Sequence, residues 1–212
     1  LAIVYYGGAD LYLINHDKLE ISKFWAIIIS LSSIFGFWIF YNYLCKSTIG
    51  ENSNFLMLCL FLILVFLSWG FHQVFTGRAA FLHLGAITAT VMSANVFLVI
   101  IPNQKIVVEN LKSGKKPDII YGKIAKQRST HNNYLTLPVI FLMISNHYPL
   151  AFATEFSWII ASLVFLMGVT IRHYFNVLHS KKGNLLWTWI ITVLIFLIII
   201  LLSFLPQHFD KN

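Results

Sequence analysis

Uninterrupted apolar runs recur along this chain, and polar or charged segments separate each run from the next. A helical span needs about 20 mostly apolar residues, and solid runs rather than alternation argue against a β-barrel. The pattern therefore predicts an all-α fold, a polytopic transmembrane helix bundle. We expect the tail of one span at residues 1–7, followed by six complete spans at residues 23–44, 55–71, 79–101, 131–147, 156–175 and 184–205.

Composition supports a membrane protein, because 58% of the residues are hydrophobic and only 11% are charged. The net charge of +7 would suit nucleic-acid binding, but the charges lie between the apolar runs, so membrane topology explains them better and no nucleic acid is expected. Of the 15 Lys and Arg residues, 11 lie in the alternating loops 45–54, 102–130 and 172–184. The positive-inside rule places these loops in the cytoplasm and the C-terminus on the outer face, which is the periplasm in a Gram-negative cell.

The first residues of the sequence and its two cysteines limit the class of protein further. The chain opens on Leu1 inside an apolar run with no charged segment before it, which favours a fragment of a single integral membrane domain (1–212) over a signal peptide. Cys45 and Cys59 form neither CxxC nor CxxCH. No zinc site and no covalently attached haem is therefore predicted.

Six histidines lie near predicted helix ends, and the topology sorts them into two layers. His131 and His147 cannot share one metal, because one helix would hold them about 24 Å apart. A lone interfacial histidine usually bonds water or a carbonyl, whereas imidazoles converging from several helices can hold a b-type haem or a metal ion. The spacing leaves both interpretations open. The outer layer comprises His72, His83 and His147, and the inner layer His131, His173 and His179.

The third span carries small residues at a four-residue period, including Gly85, Ala89 and Ser93. This period favours close helix packing, although a flat cofactor would need the same surface. Asn95 lies near the middle of the span and requires a hydrogen-bond partner there. Arg78 and Arg128 are candidate partners for an anion, since a guanidinium presents a planar fork. An equally simple explanation is that the Arg78 side chain extends to the membrane surface and that Arg128 only adds to the positive charge of a cytoplasmic loop.

Catalytic motifs of hydrolases and nucleotide-binding loops are missing from the sequence, so any chemistry here is redox chemistry or transport. Several stretches together resemble the membrane domain of the bacterial membrane-bound urate oxidase (urate hydroxylase) family. These are YYGGADLYLI, YNYLCKS, GRAAFLHLGAITATVMSANVFLVIIPNQK, QRSTHNNYLTLPVIFLMISNHYP and RHYFN.

The resemblance implies oxidation of urate, a small purine, to 5-hydroxyisourate in the bacterial inner membrane. Electrons would pass to a cytochrome c, fused or separate, whose haem lies on a missing domain or a partner. The resemblance also implies haem b in the outer layer, with His83 and His147 as iron ligands and His72 as a further candidate. His173, in the inner layer, is also a candidate cofactor-binding residue. The catalytic candidates are Arg78, His131, Asn132 and Asn133.

Two other functions remain open from the sequence. The first is a non-catalytic b-type haem subunit that relays electrons for a partner protein. The second is a transporter whose histidines move protons or a metal ion. Both would use the same polar residues within a lipid-embedded bundle.

Overall fold

The computed structural model describes residues 2–181, 183 and 185–205. In this part of the chain every regular element is helical, which confirms the all-α bundle. Two short π-helical turns, Ala2–Tyr6 and Ala9–Leu13, precede the main helices. The main helices are α1 (Lys23–Lys46), α2 (Ser53–Val74), α3 (Gly77–Ala94), α4 (Ile101–Lys112), α5 (Ile119–Ile144), α6 (Pro149–Phe152), α7 (Ser157–His179) and α8 (Trp187–Phe204).

Five helical segments of the described chain are long and apolar enough to cross a membrane: α1, α2, the continuous stretch Gly77–Lys112, α7 and α8. The protein is therefore a multi-pass membrane protein, but the predicted count of six complete spans is wrong on this criterion. The segment that fails is α5. Its first half carries Lys123, Lys126 and Arg128, so the helix is less apolar than a span although it packs between α3 and α7.

The third span does not end at Pro102 as predicted. The helix widens into a π-helical turn at Asn95–Ile100 and continues through α4 to Lys112. The Ile101 N–H bonds to the Val96 carbonyl, five residues back instead of four. Proline normally breaks a helix because it lacks an N–H and its ring collides with an earlier carbonyl. The wider turn relieves that conflict, so the proline is accommodated.

Close contacts fix α5 against its neighbours. A Cβ atom on Gly168 of α7 would lie 2.5 Å from the Pro138 Cδ atom, so the proline ring packs directly on the glycine. A Cβ atom on Gly85 of α3 would lie 3.2 Å from the Leu142 Cβ atom. This part of the small-residue pattern on the third span therefore packs another helix of the same chain.

The segment before α1 is more ordered than the predicted polar connection. Leu13 is completely buried, and an isolated antiparallel bridge joins Ile14 to Phe75. The Lys23 ammonium group pairs with the Asp10 carboxylate 2.5 Å away. We call the end of the bundle where α1 ends and α2 begins the inner end, and the opposite end, where α2 ends and α3 begins, the outer end. The positive-inside prediction places the inner end in the cytoplasm.

Candidate functional site

A buried hydrogen-bond network joins α1, α3 and α5 in the inner half of the bundle. The Tyr41 hydroxyl lies 2.7 Å from Nδ1 of His131, and the Asn95 amide donates to the same hydroxyl over 3.0 Å. The Asn95 amide also donates to Oδ1 of Asn132, whose own amide donates to the Met92 carbonyl. Tyr41, Asn95 and His131 are at most 2% exposed. We call Tyr41, Asn95, Arg128, His131 and Asn132 the inner network.

The bonding pattern assigns the tautomer of His131. The Tyr41 hydroxyl accepts a hydrogen bond from Asn95, and we assign its proton to the 2.7 Å bond with Nδ1 of His131. The neutral imidazole then carries its proton on Nε2. This atom is buried and has no hydrogen-bond partner. His131 therefore offers one unused buried donor.

Arg128 brings a buried positive charge to the same place. The residue is 2% exposed, and its guanidinium carbon lies 4.8 Å from the centre of the Tyr41 ring. One terminal nitrogen donates to Oδ1 of Asn42 over 2.8 Å, while Nε and the other terminal nitrogen have no partner. In the described part of the chain no carboxylate lies against this guanidinium. Arg128 therefore keeps two unused nitrogen donors and a positive charge without a counter-ion.

Helical periodicity explains which predicted residues meet. Arg128 and His131 are three positions apart, so both lie on the face of α5 whose side chains bond to α1. Asn133 lies on another face, where the Asn176 amide donates to its Oδ1 over 3.0 Å and Arg172 donates to its carbonyl. The structure thus brings His131 and Asn132 into the inner network but places Asn133 elsewhere.

Asn133 belongs to an open groove of about 930 Å³ at the inner end, between α4, α5 and α7. His173, a predicted cofactor-binding residue, also lines this groove. Its Nδ1 lies 3.0 Å from the Tyr134 hydroxyl. The groove and the inner network are therefore separate sets of side chains on two faces of α5.

A second cavity of about 370 Å³ lies at the inner end, and we call it the inner vestibule. Its wall includes Cys45 of α1 and Gln127, the neighbour of Arg128 in the sequence. The cations Lys46, Lys123 and Lys126 outnumber the one acidic residue of the wall, Glu51. This excess of positive charge favours anions in the inner vestibule.

His83, a predicted haem ligand, lies in the outer half of the bundle and is completely buried. Its Nδ1 donates to the Ala79 carbonyl over 2.7 Å, and its Nε2 accepts from the Ser30 hydroxyl over 2.5 Å. The Tyr6 hydroxyl lies 2.7 Å from the same serine oxygen. The ring also stacks on Phe75, with 4.4 Å between centroids. Both ring nitrogens of His83 are thus in use.

The other outer-layer candidates have different surroundings. His147 is exposed in a short 3₁₀ turn after α5, and Arg78 is exposed on α3 with its guanidinium carbon 5.4 Å from the centre of the Phe152 ring. His72 is 5% exposed, and its Nδ1 bonds the Ser68 carbonyl, while its Nε2 has no partner.

Ligation of a haem iron by His83 would require its Nε2 to exchange the bond with Ser30 for the metal, and His147 lies exposed in a separate turn. Among the described residues no three His, Cys, Asp or Glu side chains are grouped to hold a metal ion. The inner network therefore has the better geometry for chemistry, with unused donors on Arg128 and His131.

A family model described as "Urate oxidase N-terminal" matches residues 1–203. This chain belongs to the urate oxidase N-terminal family. The resemblance noted in the sequence is thereby confirmed at the level of the family. No curated protein and no solved structure matches the chain significantly.

Within this family member, sequence reasoning missed Tyr41 and Asn42. Tyr41 belongs to an aromatic cluster that is typical of an interfacial belt, yet it is 1% exposed. The available signal was the adjacent Asn42, since a tyrosine and an asparagine together inside an apolar run both require partners.

Proposed function

We propose that this chain is the membrane domain of an oxidoreductase that oxidises urate, and that the inner network holds the substrate. The observation that carries the proposal is the buried, unpaired guanidinium of Arg128 next to the Tyr41–His131 pair. Membership of the urate oxidase N-terminal family supplies the substrate class.

Charge supports the binding of an anion at Arg128. A buried guanidinium without a counter-ion costs several kcal/mol, and an anionic ligand would offset this cost. Urate is a flat monoanion at neutral pH, and arginine binds planar anions through two parallel N–H donors. In Arg128 the terminal nitrogen that lies parallel to Nε already bonds Asn42. Urate would therefore accept a hydrogen bond from the free terminal nitrogen, Nη1, while the guanidinium charge offsets that of the anion.

The inner vestibule lies beside the inner network and would be the entrance for urate. Its three lysines raise the local concentration of anions, and it adjoins Cys45, one helical turn after Tyr41. Substrate would therefore arrive from the inner end of the bundle. This end is cytoplasmic in the positive-inside prediction.

The reaction combines urate with one water molecule and yields 5-hydroxyisourate, two protons and two electrons. Arg128 would hold the anion, and the Tyr41–His131 pair would orient it and exchange a proton through a hydrogen-bonded path. The acceptor that the family resemblance implies is a cytochrome c, which would be reduced twice per urate.

The experiment measures urate-dependent reduction of a soluble c-type cytochrome by the full-length protein in membranes. Arg128→Lys keeps the charge but removes the planar guanidinium and its free Nη1 donor, so we expect the KM for urate to rise by about tenfold or more. Lys112→Arg, at an exposed position on α4, is the matched control and should leave KM unchanged. Normal KM in Arg128→Lys would remove Arg128 from the site, and no urate-dependent reduction by the wild type would refute the proposed reaction.

A further inference from the structure

An apolar cavity of about 250 Å³ lies between α1, α2, α3, α5 and α7. Its wall is aromatic and aliphatic, with Phe37, Phe61 and Phe165 among the lining side chains. An apolar cavity of about 150 Å³ is large enough to bind benzene. This cavity therefore has room for a substituted six-membered ring.

Four lining side chains carry a group that can form hydrogen bonds, namely Tyr41, Thr88, His131 and Tyr134. The Thr88 hydroxyl donates to the Leu84 and Gly85 carbonyls, and the Tyr134 hydroxyl bonds His173. The Tyr41 hydroxyl is engaged by Asn95 and His131. Among these residues only Nε2 of His131 lacks a partner.

The cavity extends to the lipid-facing surface of the bundle at α2. Leu58 lines the cavity and is also 54% exposed. Helices α2 and α7 are joined towards the outer end by a hydrogen bond from the Ser68 hydroxyl to the Trp158 carbonyl. The cavity lies closer to the inner end, between Leu58 of α2 and Val169 of α7. A molecule dissolved in the bilayer can therefore reach it from the side.

We propose that this cavity binds the ring of a lipid-soluble quinone, with a quinone carbonyl accepting a hydrogen bond from Nε2 of His131. The tautomer assigned above places a proton on this nitrogen, so the ligand must supply an acceptor. The apolar wall suits the ring, and the hydrocarbon tail would leave past Leu58 into the bilayer. Urate is too polar for this wall, since burying its amide groups without partners is costly.

The test is equilibrium binding of radiolabelled decylubiquinone to the full-length protein in lipid nanodiscs, without urate. We expect saturable binding at one site per chain. Leu58→Trp should obstruct the opening and weaken the affinity by about tenfold or more. Leu62→Trp is the matched control, because Leu62 is one turn further along α2, is 57% exposed and does not line the cavity.

Two further measurements test recognition of the carbonyl. His131→Ala should weaken binding of decylubiquinone by about tenfold. Decylbenzene, which has a ring and a tail but no carbonyl, should compete poorly with decylubiquinone for the wild-type protein.

Three results would overturn the proposal. They are the lack of saturable binding, equal affinities for Leu58→Trp and Leu62→Trp, and equal competition by decylbenzene, which would show a cavity for lipid tails. His131→Ala can also disturb the fold. The comparison of Leu58→Trp with Leu62→Trp is therefore the deciding measurement, because both substitutions lie at the lipid-facing surface. The binding assay contains no urate, so its outcome is independent of the proposed oxidation.

Discussion

The hydroxyl of Tyr41 lies 2.7 Å from Nδ1 of His131, although 90 positions separate the two residues in the sequence. The bond connects α1 to α5 inside the bundle, where both side chains are at most 2% exposed. With Tyr41 assigned as the donor, the imidazole proton lies on Nε2. The unused donor of His131 therefore depends on a residue in a different helix.

Removing the Tyr41 hydroxyl should damage both stability and activity. Tyr41→Phe leaves Nδ1 of His131 and an Asn95 N–H group without a partner, so we expect a loss of about 1–3 kcal/mol in the free energy of unfolding. Urate-dependent electron transfer should fall more than stability explains. Tyr43→Phe is the control, because Tyr43 is 73% exposed on the same helix. Equal Tm and activity for the two variants would refute the role of the network.

The helix bundle could be predicted from the sequence because the bilayer demands long apolar runs, and these are visible without any structure. The end of a helix is less predictable. Pro102 indicated a stop, but the π-helical turn at Asn95–Ile100 absorbs the proline, and no local sequence rule announces that turn. The extent of α5 was missed for a related reason, since its polar first half looks like a loop while tertiary packing keeps it helical.

The candidate site was only half predictable. His131 and Asn132 stood out as polar residues in an apolar context, and they do meet in the inner network. Their neighbour Asn133 was assigned to the same site, yet helical rotation turns it towards α7. Tyr41 could not be paired with His131 from the sequence, because the relative rotation of two distant helices depends on the packing of the whole bundle.

The contact between Gly168 and Pro138 should tolerate no larger side chain. Gly168→Ala places a methyl group 2.5 Å from the proline Cδ atom, and we expect it to lower stability by about 1–3 kcal/mol. Gly122→Ala in α5 meets no atom within 4 Å, so it should be neutral or slightly stabilising. Thermal unfolding in detergent measures both. If Pro138→Ala does not reduce the cost of Gly168→Ala, the steric explanation fails.

His83 and His147 should respond differently to mutation. His83→Ala removes a buried ring with bonds to Ser30 and Ala79, and we expect it to destabilise the protein by about 3 kcal/mol. His147→Ala, at an exposed position, should leave Tm near that of the wild type. His16→Ala is a second exposed control. Equal loss of haem or activity from His83→Ala and His147→Ala, with Tm unchanged, would instead support the predicted shared redox centre.

The two arginines predicted as anion partners lie at opposite ends of the bundle, and kinetics can separate them. Arg128→Gln removes the buried positive charge and its unused donors and should raise the KM for urate by about tenfold or more. Arg78→Gln removes only an exposed guanidinium near Phe152, so a change of less than about twofold is expected. A larger rise in KM from Arg78→Gln would move the substrate site to the outer end.

The predicted orientation can be tested with single cysteines. In a variant with Cys45→Ala and Cys59→Ala, Lys115→Cys lies in the turn between α4 and α5, and Asp17→Cys lies before α1. The positive-inside rule puts position 115 in the cytoplasm and position 17 outside. A thiol reagent that cannot cross membranes should therefore label Asp17→Cys in intact cells and label Lys115→Cys only after the cells are opened. The reverse pattern would invert the bundle and would place the inner vestibule, with its three lysines, on the outer side. Urate would then reach Arg128 from outside, so the same labelling experiment also decides from which compartment the substrate is drawn.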